Sequence, residues 1–128
     1  MDKEQLAGAE RRLRRRAEAL REDIQRELRK YDDETYARLA EEVSDSGDQS
    51  LASLLSDVDL AEVTRDVGEL REIDLALQRL AEGNYGVCID CGEAIPPARL
   101  EANPAAVRCI EDQERFENRD RQAHYPSL

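Results

Sequence analysis

The sequence predicts an all-α chain: a long antiparallel helical hairpin, then a small finger domain and a C-terminal helix. Three observations predict it. Apolar residues recur at steps of three and four through most of residues 1–83. No proline occurs before Pro96. A cysteine pair, Cys88 and Cys91, follows directly on the point where the periodic pattern stops, at Gly83-Asn84.

The first helix is expected from the stripe Leu6, Ala9, Leu13, Ala17, Leu20, Ile24, Leu28, Tyr31, Thr35, Leu39 and Val43. That spacing keeps these side chains on one face of a 3.6-residue helix or on a coiled-coil seam. Arg and Glu fill the positions between, often with opposite charges one turn apart, such as Glu18 with Arg21. The arginine-rich run Arg11–Arg16 is flanked by Glu10 and Glu18 and reads as a solvated helix face. Around Ser44-Asp45-Ser46-Gly47-Asp48 small polar residues predict a turn, with Gly47 suited to a left-handed helix end. The stripe resumes at Leu54, Val58, Leu60, Val63, Val67, Leu70, Ile73, Leu77 and Leu80, with start signals near both residue 50 and Ser56-Asp57. Neither stripe can be buried alone, so the two helices are expected to pack antiparallel. The expected division is residues 1–83 as a coiled coil with an acidic tip near 44–50, and residues 84–128 as the finger domain with its C-terminal helix.

Composition narrows the function. The 128 residues hold 30 acidic against 19 basic side chains, a net charge of −11. Residues 43–87 carry 10 acidic and 3 basic groups, so the negative excess lies mid-chain. Such a chain is repelled by bare nucleic acid, which is bound mainly through its phosphates. No stretch approaches the roughly 20 apolar residues of a membrane helix, and no charged-then-apolar leader opens the chain. A cytoplasmic protein is the expectation, and there cysteines serve metals or catalysis more often than disulfides.

Cys88-Ile-Asp-Cys91-Gly92 has the C-x2-C spacing of a zinc knuckle, and the 17 residues before Cys109 suit a four-ligand, zinc-ribbon-like element. In the second pair Asp112 stands where a fourth cysteine is expected. A carboxylate is a competent zinc ligand. Three readings stay open: zinc on Cys88, Cys91, Cys109 and Asp112; zinc with His124 as the fourth ligand; and a finger held by packing without metal. A catalytic thiol is not expected. The sole histidine lies 15 residues beyond Cys109, and Asp90, Glu93, Glu111 and Asp112 disfavour a thiolate.

The run Asn84-Tyr85-Gly86-Val87-Cys88-Ile89-Asp90-Cys91-Gly92, the downstream Ile95-Pro96-Pro97-Ala98-Arg99-Leu100-Glu101-Ala102-Asn103-Pro104 and the closing Cys109-Ile110 resemble the DksA/TraR zinc-finger family. The likeness covers roughly residues 7–120. The chain looks like a shorter relative lacking an extra N-terminal helical region. The resemblance implies a bacterial, mostly monomeric transcription regulator that binds RNA polymerase rather than DNA. The finger docks outside the secondary channel, and the coiled coil inserts its tip toward the catalytic magnesium. Within the family's tip motif, D-x2-D-x-A, Asp45 and Asp48 match the aspartates and Ser50 replaces the alanine. Positions that are basic in relatives responding to the alarmone ppGpp align with Glu72, Asn103 and Gln113, so ppGpp is not an expected ligand. The alternatives are a coiled-coil interaction adaptor, or a metal- or redox-responsive protein with no polymerase role.

Overall fold

The computed structural model describes residues 1–45 and 51–124. Helix α1, Lys3–Leu28, begins at a capping box: the Asp2 carboxylate accepts the Gln5 N–H at 2.8 Å, and the Gln5 side chain accepts the Asp2 N–H at 3.0 Å. Its buried face is the expected stripe, Ala9, Leu13, Ala17, Leu20, Ile24 and Leu28. Each fully buried leucine or isoleucine contributes about 1.5–3 kcal/mol relative to exposure.

The helix does not continue to Val43. It ends at Leu28, the chain turns through residues 29–33, and helix α2, Glu34–Asp45, runs back along α1. The Gln25 side-chain amide, on α1, donates to the Ala40 carbonyl at 3.0 Å and also contacts the Ser44 hydroxyl. Ala40 and Val43 are fully buried. Two local features stop the first helix. Asp33 caps α2, its carboxylate accepting the Tyr36 N–H at 3.1 Å. Tyr31 meets Tyr36 edge-on, ring centroids 5.8 Å apart, across the turn. The first reversal of the chain is therefore at residues 29–33 rather than at 44–48. Asp45 is the last residue of α2, and Asp48 and Ser50 lie outside the described residues.

A short helix α3, Leu51–Leu54, lies against helix α4, Ala61–Glu82. Leu51, Leu55 and Val58 are buried in this connection. The long second helix thus starts at Ala61, later than either start signal. It runs antiparallel to α1 and buries Val63, Val67, Leu70, Ile73 and Ala76. Arg16 joins Glu69 across the pair with two hydrogen bonds of 2.6 and 2.9 Å. Helix α1 is thereby the shared partner of α2 and α4. Gly83 ends α4 in the left-handed conformation (φ 79°), with the Asn84 N–H closing on the Arg79 carbonyl at 2.8 Å.

The finger follows with no linker. Among the described residues it has one bridge, Val87 with Ala94, and no longer strand. Helix α5, Pro97–Ala102, buries Leu100, and helix α6, Ile110–His124, leaves the finger as the C-terminal helix. Tyr85, Cys88, Ile95, Leu100, Ala105, Ala106 and Val107 are the finger's share of one continuous apolar core. Among the described residues no helix is long and apolar enough to cross a membrane.

Candidate metal centre

A tight turn presents the first two cysteines. The Gly92 N–H donates to the Cys88 carbonyl at 3.0 Å and the Cys88 N–H to the Glu93 carbonyl at 2.8 Å. Gly92 sits at φ 77°, a conformation that a side chain at this position would oppose by about 1–2 kcal/mol. The third cysteine precedes α6, where the Gln113 N–H closes the first helical turn on the Cys109 carbonyl at 2.9 Å. Asp112 lies one turn on, so the helix projects it toward the same side as Cys109. The Ile89 N–H donates to the Val107 carbonyl at 2.8 Å and stitches the two halves together.

These elements bring four side chains to one place. The thiols of Cys88, Cys91 and Cys109 and a carboxylate oxygen of Asp112 all lie within 4.8 Å of one another. Cys91 Sγ and Cys109 Sγ are 4.0 Å apart, and Cys88 Sγ is 3.1 Å from Asp112 Oδ2. Ligand sulfurs about 2.3 Å from a tetrahedral zinc stand about 3.8 Å from each other, so the donor set and spacing fit that ion. Cys88 and Asp112 are buried, Cys109 is half-buried and Cys91 is exposed. A cleft of about 590 Å³ opens on the Cys91 and Asp112 side, with Arg115 and Arg119 among its walls.

The electrostatics of the cluster are arranged for anions. Burial opposes ionisation of Cys88, but backbone N–H groups of Cys91, Cys109 and Asp90 hydrogen-bond its sulfur and together hold the thiol below its usual range. Hydrogen bonds from Cys88, Cys91 and Cys109, helped by Arg115, hold the Asp112 carboxyl low as well. Cys91 goes the other way. The Glu93 N–H favours its thiolate, yet Asp112, Cys88, desolvation and Cys109 together push it up to about 12. A bound dication inverts that balance, because a coordinating thiol is deprotonated outright. Around the cluster, Arg108 bonds Asp90 at 2.8 Å and lies 4.0 Å over the Phe116 ring, and Arg99 donates to the Arg108 carbonyl at 2.9 Å.

The other expected positions distribute as follows. His124 ends α6, which puts its backbone about 21 Å along the helix from Ile110. Asp45 closes α2, next to Ser44, which meets Gln25 of α1 where α2 runs back along it. Glu72 and Asn103 line one groove between the hairpin and the finger, together with Arg12, Arg15 and Arg16. Gln113 points to Glu117 at 3.2 Å, and Glu117 in turn acts on Glu72. Burial, Glu69 and Glu117 push the Glu72 carboxyl up. Arg115 is the site residue that sequence reasoning missed. Its spacing of three from Asp112 was visible, but surface helices carry such pairs everywhere.

Comparison with known proteins extends this picture. Residues 83–118 match the model of the prokaryotic dksA/traR C4-type zinc finger. This chain supplies three of the four cysteines that description names, with Asp112 in the remaining place. A protein of Caulobacter vibrioides called RNA polymerase-binding transcription factor DksA is 42% identical over 106 residues, spanning 80% of this chain and 72% of its own. General stress protein 16O of Bacillus subtilis is 35% identical over 71% of this chain and 60% of its own. Among solved structures, transcription factor DksA2 from Pseudomonas aeruginosa superposes with a TM-score of 0.56 at 33% identity, over 94% of this chain and 89% of that one. The RNA polymerase binding protein and transcriptional regulator Dks from Chlamydia trachomatis gives 0.58 at 26% identity, over 92% and 93%.

Proposed function

The chain belongs to the DksA/TraR zinc-finger family, and from that premise we propose that it regulates transcription by binding RNA polymerase. In this reading the finger, residues 84–128, docks at the mouth of the enzyme's secondary channel. The helical part, residues 1–83, enters it and alters initiation without contacting DNA. The observation that carries the reading is the extent of the likeness, which runs through hairpin and finger together rather than through the finger alone. The architecture supports it. Helix α1 is about 39 Å long, and Arg79 at the end of α4 bonds the carbonyls of Asn84 and Val87 in the finger. The mid-chain acidity suits basic and metal-containing surroundings better than a phosphate backbone.

Within this proposal Cys88, Cys91, Cys109 and Asp112 hold a structural zinc that fixes the docking surface. Asp45, Asp48 and Ser50 act at the channel. The chain works as a cytoplasmic monomer and performs no catalysis. It does not depend on ppGpp, because Glu72, Asn103 and Gln113 stand at positions that the family resemblance makes basic in relatives responding to that nucleotide.

Copurification with core RNA polymerase tests the binding, and in-vitro transcription tests the mechanism. Wild-type protein is expected to be retained by the core enzyme and to shift promoter output. Asp45→Asn with Asp48→Asn is expected to bind still and lose the shift. Failure of wild-type protein to bind overturns the proposal. Full activity of the double variant would show that the acting residues lie elsewhere.

A further inference from the structure

Resting on the zinc reading of the four-residue cluster, we propose that Arg115 is a positioning residue that keeps Asp112 a one-oxygen ligand. The two carboxylate oxygens of Asp112 have different neighbours. Oδ2 faces the thiols, 3.1 Å from Cys88 Sγ. Oδ1 accepts from Arg115 Nη1 at 3.0 Å. A free carboxylate can turn and offer both oxygens to a metal, expanding the coordination shell, whereas a thiolate cannot. The residue that replaces a cysteine at such a site therefore needs a second group to occupy its spare oxygen. Arg115 stands one helical turn beyond Asp112 and is placed to do that.

Charge favours the same arrangement. Three thiolates and a carboxylate around a dication leave the centre at −2, within a chain already at −11. Of the nearby cations, Arg108 is committed to Asp90. Among the described residues Arg115 forms an ion pair with a member of the cluster, and it does so from the open cleft beside Cys91. Outer-shell partners of this kind orient a ligand and raise its basicity. As a bare surface pair the contact would be worth little, since the arginine side chain is 71% exposed. Its influence is expected on the metal, not on the fold.

The test is metal binding by the full chain, with cobalt(II) as a spectroscopic probe and zinc affinity measured by chelator competition. Wild-type protein is expected to give the intense visible absorption of a four-coordinate centre. Arg115→Met is expected to weaken that absorption as the second carboxylate oxygen joins the shell. It should also lower zinc affinity about tenfold, the lower end of what losing an outer-shell partner costs. Arg115→Lys should recover part of the loss. The decisive control is Asp112→Cys, which removes the carboxylate through which Arg115 acts. In that background Arg115→Met should change neither readout. Unchanged spectra and affinity for Arg115→Met in the wild-type chain overturn the proposal while leaving the zinc reading intact. Equal losses in the Asp112→Cys background also overturn it, because the arginine would then act by charge alone. If wild-type protein takes up no cobalt or zinc, the zinc reading fails, and the proposal falls with it.

Discussion

At the scale of single residues, a few specific contacts shape the finger. The Tyr85 hydroxyl donates to the Pro104 carbonyl at 2.7 Å from a buried ring. Tyr85→Phe is expected to cost about 0.5–1.5 kcal/mol, read as a lower melting temperature. Gly92→Ala should cost about 1–2 kcal/mol on the same measurement, because its backbone sits at φ 77°. Here the sequence was most legible. The spacing of Cys88 and Cys91 specifies a local turn, and Asp112 keeps step with Cys109 on a helix, so short-range rules suffice. Arg115 escaped notice because its role exists only once the two halves of the finger have met.

At the scale of elements, the instructive case is the break at residues 29–33. The apolar stripe runs in phase from Leu6 to Val43, and periodicity alone cannot separate a helix that continues from one that folds back and buries the same face again. The distinguishing signal was present in Asp33, followed three residues later by the amide it caps. Asp33→Ala is expected to destabilise α2 by about 1 kcal/mol. Ala40→Glu puts a charge where no surface is exposed and should release α2 from α1. Hydrogen exchange would then show lost protection over residues 34–45, with α1 and α4 still protected. Protection retained in α2 would mean that it is held by something other than its contact with α1. The long helix α4 was legible in its buried face and in its Gly83 end, but its start was not. Leu60 caps it with an extended backbone and no side-chain hydrogen bond, which leaves no mark in the sequence.

At the scale of the whole molecule, surplus negative charge sets the response to pH. Glu69 is held low by its hydrogen bonds from Arg16, so that pair stabilises above about pH 4.5 and is lost as pH falls through the depressed folded value. Asp66 and Glu72 have the opposite sign. Desolvation and like charges push both up, so their ionised forms destabilise the fold at neutral pH and protonation relieves it. Melting temperature is expected to rise on mild acidification from pH 7 and to fall again below about 4.5. Glu72→Gln should raise the neutral value and shrink the mild-acid gain. A melting temperature that falls steadily from pH 7 would contradict this. Metal removal is expected to act unevenly as well. Chelation should loosen residues 84–110 and leave most far-ultraviolet helical signal in place, because α1 and α4 pack along each other over most of their length. Loss of the hairpin signal with the metal would refute that separation.

The junction at the end of α4 has a mechanical consequence. Arg79, in the last turn of the helix, donates to the carbonyls of Asn84 and Val87, at 3.3 and 2.9 Å, and so clamps the rod to the loop that carries Cys88. Finger and rod then behave as handle and lever arm. Helix α4 is about 33 Å long, so a tilt of about 10° at its base displaces the remote end by about 6 Å. Whatever alters the set of the finger re-aims the far end of the molecule, with no change anywhere along the shaft.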